Sequence, residues 1–155
     1  MDSDWKTIRL KCLRAVYERQ VIREKAPAYL NTRRISKAED VYELMHDLQL
    51  EGKENFLVLH LNNKNEIMCL DRVSTGSMNQ SIVHPREVFK AALLSSAAAL
   101  ILVHNHPSGD PEPSREDMEI TKRLQEAGNL LGIKVLDHVI IGEGRFISFA
   151  ERGLL

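Results

Sequence analysis

The sequence predicts an α/β fold of mixed α+β character, with a central mixed sheet flanked by helices. Three observations carry this expectation. Residues 98–103 are an unbroken apolar run of strand length, as in a strand covered on both faces. Residues 56–61 and 66–73 are two strand-like runs separated by the polar turn Asn62-Asn63-Lys64-Asn65. Helix-periodic segments alternate with the strand-like ones from residue 36 onward, the pattern of a sheet with helices on its faces. At 155 residues and 43% hydrophobic content, the chain is long enough to bury one continuous core and too apolar for the disordered class.

Residues 1–25 give an ambiguous signal. Ile8, Leu10 and Cys12 alternate with Arg9 and Lys11 as in a strand, whereas Leu13, Val16 and Tyr17 suit a helix. Residues 26–34, opened by Ala26 and Pro27, read as a linker. Residues 1–35 are therefore treated as an N-terminal extension and 36–155 as the domain. Ser36 and Glu39 form a capping-box pattern that opens a helix to about Leu50, with Val41, Leu44, Met45 and Leu48 on one face and Gly52 ending it. The hairpin follows and ends near Gly76. Pro85 suits the first turn of a helix over 86–94, where its missing N–H costs nothing. After the buried strand comes a Pro- and Gly-rich loop, 107–113, and then a helix over 114–131 with Ile120, Leu124 and Ala127 as core positions and Gly132 as its C-terminal cap. Strands over 135–141 and 146–149, joined through Gly142 and Gly144, complete the chain.

No apolar run approaches the roughly 20 residues that span a bilayer, so no membrane partner is expected. The acidic start, with Asp2 and Asp4 and no apolar core, argues against a secretion signal, and Cys12 and Cys69 supply neither a disulfide framework nor a C-x-x-C pair. A cytoplasmic location is expected. The net charge is −1, but residues 1–40 hold ten Lys/Arg against six Asp/Glu, a balance of +4 that leaves −5 for the remainder. That excess is a weak footprint for nucleic acid, and a solvated surface explains it as well.

The chemistry concentrates in residues 104–117. On a strand, residues two apart point to one face, so a strand continuing through His106 would place the His104 and His106 rings side by side. The loop then turns the chain into a helix whose first turn carries Asp117. Two imidazoles and one carboxylate leave a coordination position for water, the ligand set of a catalytic zinc, here one Zn²⁺ per chain. Such a cation lowers the pKa of water toward about 7, and a nearby carboxylate is needed to take the proton. Ser114 and Asp117 also read as a helix N-cap pair, a role compatible with ligation. Asn105 points away from the two histidines on a regular strand, so it reads as structural. His46 and His60 read as surface or satisfied core groups, and His84 as a residue orienting the loop near the site. Asp137 and His138 face opposite sides of a strand that borders the cleft, leaving His138 open between a structural role and a role beside the metal.

His104-x-His106, seven residues, then Ser114-x-x-Asp117 resembles the JAMM motif of the JAB/MPN metalloprotease superfamily. The surrounding strings, 83–89 (Val83 to Phe89), 104–110 (His104 to Asp110) and 136–141 (Leu136 to Ile141), resemble the bacterial RadC branch, historically labelled DNA repair proteins. The resemblance covers residues 36–155 and implies a JAB/MPN-like, cytidine deaminase-like architecture. Longer family members carry an N-terminal helix-hairpin-helix-like segment, and residues 1–35 are too short for it and show no such hairpin. The resemblance further implies a general base at the start of a strand that follows a helix, well before the histidine pair. Glu54 occupies that place. Its rivals are Glu87, beside His84 in the first turn of the next helix, and Glu51 near a helix end. The family comparison also implies that Ser114 stabilises a developing oxyanion.

Two functions follow as expectations. One is a zinc-dependent metallopeptidase or isopeptidase acting on a peptide or protein, with Glu54 and Ser114 catalytic and His104, His106 and Asp117 binding the metal. The other is a repair- or recombination-associated accessory protein that binds nucleic acid and keeps the metal for structure or another activity. The H-x-E…P-C-x-x-C signature of zinc deaminases and the H-E-x-x-H helix are both missing from the sequence. Oligomeric state stays open.

Overall fold

The computed structural model describes residues 5–23, 34–76 and 83–155. Residues 24–33, which include most of the expected linker, lie outside the described residues. Residues 5–23 adopt neither the strand nor the helix that their two competing patterns allow, and Trp5, Ile8, Leu10, Leu13 and Val16 are exposed.

The remainder folds around a five-stranded sheet. Its strands are β1 (Glu54–Leu61), β2 (Ile67–Gly76), β3 (Ala99–Asn105), β4 (Lys134–Ile141) and β5 (Phe146–Ser148), in the order β2-β1-β3-β4-β5. Only β3 and β4 run parallel; the other neighbours are antiparallel, so the sheet is mixed as expected. The β1–β2 hairpin turns through Asn62, whose side-chain oxygen accepts the N–H groups of Lys64 and Glu66 at 2.9 and 3.0 Å.

The period of two sorts each central strand between two cores. Phe56 and Val58 of β1, with Leu100 and Leu102 of β3, face α2 (Pro85–Leu94) and α3 (Arg115–Leu131), where they meet Val88, Phe89, Ile120 and Leu124. Leu57, Leu59 and Leu61, with Ile101 and Val103, face α1 (Ala38–Leu44) and meet Val41 and Met45. Every residue of β3 is buried, which is why that run reads as continuously apolar. The parallel β3–β4 pair needs a crossover, and α3 supplies it.

Three local expectations are corrected. The first helix does not run to Leu50: it ends at Leu44 and tightens into a 3₁₀ helix, His46–Leu50. The i to i+3 spacing of a 3₁₀ turn eclipses Met45 and Leu48, keeping both buried against the sheet. Its N-terminal cap also sits one residue later than the Ser36/Glu39 pattern. Asp40, not Glu39, accepts the backbone N–H groups of Ser36 and Lys37, at 2.8 and 3.0 Å, because the helix starts at Ala38. Glu39 pairs instead with Lys37. Finally, β1 starts at Glu54, two residues before the expected Phe56, while β2 ends at Gly76 as expected. Among the described residues, no helix is long and apolar enough to cross a membrane.

Candidate metal centre

His104 follows Leu100 and Leu102 on the α3 side of β3, and its ring is fully buried. The strand ends at Asn105, but His106 N–H still bonds to the Ile141 carbonyl of β4 at 2.9 Å. That extra ladder bond prolongs the extended path and keeps the His106 ring beside His104, with ring centroids 4.8 Å apart. The loop then docks on the turn after β4, where Glu143 N–H bonds to the Gly109 carbonyl at 2.9 Å. Gly109 has φ +86°, a left-handed conformation suited to glycine. Its neighbour Asp110 returns a carbonyl to His106, 2.8 Å from Nδ1.

Ser114 caps α3. Its hydroxyl accepts Asp117 N–H at 3.1 Å, and Asp117 Oδ2 accepts Ser114 N–H at 2.8 Å. This reciprocal box orients the Asp117 carboxylate toward the histidines: Oδ1 lies 3.3 Å from His104 Nε2 and Oδ2 lies 3.2 Å from His106 Nε2. The two Nε2 atoms are themselves 2.9 Å apart. His104, His106 and Asp117 thus each offer an atom within 4.8 Å of the others, and they are the one such group of His, Cys, Asp and Glu among the described residues. Burial would raise the Asp117 pKa, yet the neighbouring His104 and His106 rings prevail and hold the carboxyl well below the usual range. Burial lowers His104, against the pull of Asp117. For the more open His106, burial is outweighed by Asp117, the Asp110 carbonyl and Glu54, and its pKa rises.

Glu54, the first residue of β1, lines a recess of about 310 Å³ together with His106, Ser108, Ser114, Glu116 and Asp117. It is close enough for its charge to act on both His104 and His106. Glu87 lies elsewhere, on α2, bound to Lys90 at 2.7 Å. Glu51 is exposed at the end of the 3₁₀ helix and does not line the recess. His84 is the N-cap of α2, accepting Arg86 N–H at 3.1 Å.

Asn105 is buried and structural, as its direction on the strand indicates: its amide bonds to the backbone on both sides of Glu54. His138 lies beside His104, with Nε2 2.7 Å from His104 Nδ1, and Thr121 Oγ1 lies 2.6 Å from His138 Nδ1. Asp137 faces away from this contact and bonds to Ser148 and Ala150. Thr121 escaped notice in the sequence. Its signal was its place one helical turn after Asp117, on the same face of α3.

Comparison with known proteins gives the family. The RadC-like JAB domain matches residues 35–154. The chain belongs to that family. A UPF0758 protein of Caldanaerobacter subterraneus is 62% identical over 120 residues, 77% of this chain and 52% of that protein. Another, from Geotalea uraniireducens, is 53% identical over 145 residues, 93% of this chain and 63% of its own length. A third, from Methanosarcina mazei, is 55% identical over 124 residues, 79% of this chain and 54% of its own. The RadC-like chain thus spans between about half and two thirds of the length of these curated relatives.

Proposed function

We propose that this RadC-like JAB domain is a zinc-dependent hydrolase of peptide or isopeptide bonds, with His104, His106 and Asp117 as metal ligands. One observation carries the reading: two imidazole nitrogens and a carboxylate converge on one point, as the ligands of a shared cation do. The Asp110 carbonyl beside His106 Nδ1 can only accept, so in the neutral ring Nδ1 holds the proton and Nε2 presents a lone pair. That lone pair faces His104 Nε2 at 2.9 Å and an Asp117 oxygen at 3.2 Å. A tetrahedral zinc with bonds of roughly 2.0–2.1 Å keeps its ligand atoms about 3.3 Å apart; the two Nε2 atoms are 2.9 Å apart and each lies 3.2–3.3 Å from one of the two Asp117 oxygens.

When bound, zinc supplies Lewis acidity toward a carbonyl and makes a water molecule acidic near neutral pH. The protein's side chains do the rest. Glu54, in the open recess, takes the proton of the attacking water and returns it to the leaving amine nitrogen. Ser114 donates its hydroxyl to the developing oxyanion, a duty added to its cap. The recess is lined mainly by polar and charged side chains, among them Glu54, His106, Ser108, Ser114, Glu116 and Asp117.

Metal analysis coupled to a peptide-cleavage assay tests the proposal. Wild-type protein is expected to bind one zinc per chain and cleave members of a fluorogenic peptide and isopeptide library. Asp117→Ala should lose the zinc, whereas Glu54→Gln should keep it and lose cleavage. A wild-type chain that takes up no zinc, or undiminished cleavage by Glu54→Gln, would refute it.

A further inference from the structure

We propose that Thr121 and His138 are positioning residues whose hydrogen-bond relay fixes His104 in the tautomer that turns its Nε2 lone pair toward Asp117 and His106. The inference rests on His104 being a metal ligand, as argued above, and assigns two residues outside that ligand set.

The direction of each proton follows from its neighbours. Thr121 Oγ1 lies 2.6 Å from the backbone carbonyl of Asp117, which can only accept. Two oxygens at that distance need a proton between them, so the single Thr121 hydroxyl proton is committed there. Its oxygen, 2.6 Å from His138 Nδ1, is left to accept, and His138 Nδ1 carries a proton. The His138 ring is fully buried, stacked on Phe149 with centroids 4.7 Å apart and touched edgewise by Phe56 at 5.6 Å. No carboxylate hydrogen-bonds to that ring among the described residues. In its neutral form His138 therefore presents a lone pair at Nε2, 2.7 Å from His104 Nδ1. His104 must donate from Nδ1, and its Nε2 is bare.

The relay starts and ends at the metal cluster. The backbone of Asp117 sets Thr121, Thr121 sets His138, and His138 sets the ring that shares the cluster with the Asp117 carboxylate. The opposite tautomer would aim an N–H at the cation position and would have to be reversed before binding. Partners of this kind typically contribute 10–100-fold to metal affinity.

Two measurements test this. The first is long-range proton–nitrogen correlation on metal-free protein with labelled histidines, in mildly alkaline buffer. Wild-type His104 and His138 are both expected as Nδ1–H tautomers. The second is zinc affinity by competition with a chromophoric chelator. Thr121→Val is expected to bind zinc 10–100-fold more weakly and to mix the two tautomers of His138 and His104, while Thr121→Ser, which keeps the hydroxyl, restores both. An Nε2–H tautomer of His104 in the wild type would overturn the relay. So would a folded Thr121→Val variant with wild-type tautomers and wild-type zinc affinity. The tautomer readout uses no metal and no variant, so it decides the relay separately: a wild type with the expected tautomers that binds no zinc would defeat the hydrolase reading and not the relay.

Discussion

Asn105 Oδ1 accepts the backbone N–H of Asn55 at 2.7 Å, although the two residues are fifty positions apart in the chain. The same amide donates from Nδ2 to the Lys53 carbonyl at 3.0 Å, so it grips the backbone on both sides of Glu54. Asn105→Ala leaves that buried N–H and that carbonyl without this partner, which should cost about 1–3 kcal/mol of stability in urea melts. It should also let Glu54 drift. A displacement near an ångström can cost about a hundredfold in rate, so kcat should fall steeply while zinc affinity stays near wild type. Equal losses in kcat and zinc affinity would show that Asn105 merely supports the histidine strand.

Ser114 carries a cap and, in the proposed mechanism, an oxyanion contact, and substitutions can separate the two. Ser114→Ala should destabilise the protein by about 1 kcal/mol through the lost cap and reduce kcat by about a hundredfold or more through the lost donor. Ser114→Asn, a good N-cap residue, should recover most of the melting temperature without recovering kcat. Recovery of both would reduce Ser114 to its role as a cap.

Much of this architecture was legible in the sequence because burial repeats with the period of each element. The apolar run of β3 and the Pro85 and Gly132 punctuation of α2 and α3 are local signals with local causes. The spacing of His104, His106 and Asp117 was legible for the same reason: a strand end and a capped helix start are close in sequence. What escaped depends on pairing distant segments. That Thr121 meets His138, seventeen positions on, follows from α3 crossing back over the parallel β3–β4 pair. The change to a 3₁₀ helix after Leu44 answers to packing against the sheet, and no residue there forbids a longer α-helix.

Gly142 sets how closely the loop carrying Asp110 approaches the sheet. A Cβ at this position would lie 2.4 Å from the Gly109 carbonyl oxygen and 2.6 Å from Pro111 Cδ. Gly142→Ala must push the loop outward, and with it the carbonyl that holds His106 Nδ1. A destabilisation of about 1–3 kcal/mol is expected from the overpacking, together with weaker zinc binding by chelator competition. Unchanged affinity in a folded variant would mean that the loop does not help to orient His106.

His60 gives the fold its own sensitivity to acid, away from the His104, His106 and Asp117 group. Its ring is buried, with Nδ1 2.7 Å from Ser95 Oγ and near the Cys69 thiol, while Nε2 has no partner among the described residues. Burial lowers its pKa from 6.5 to about 4. The unfolded chain therefore takes up this proton more readily than the folded one. The corresponding stability is fully present above pH 6.5 and is lost as pH falls toward 4. A lowering of that size corresponds to about 3 kcal/mol. Urea melts across that range should show wild-type stability falling with acid more steeply than in a His60→Leu variant, with the two slopes becoming equal below pH 4. Parallel curves for the two proteins would mean that His60 accepts its proton without unfolding and that the unpartnered Nε2 finds relief locally.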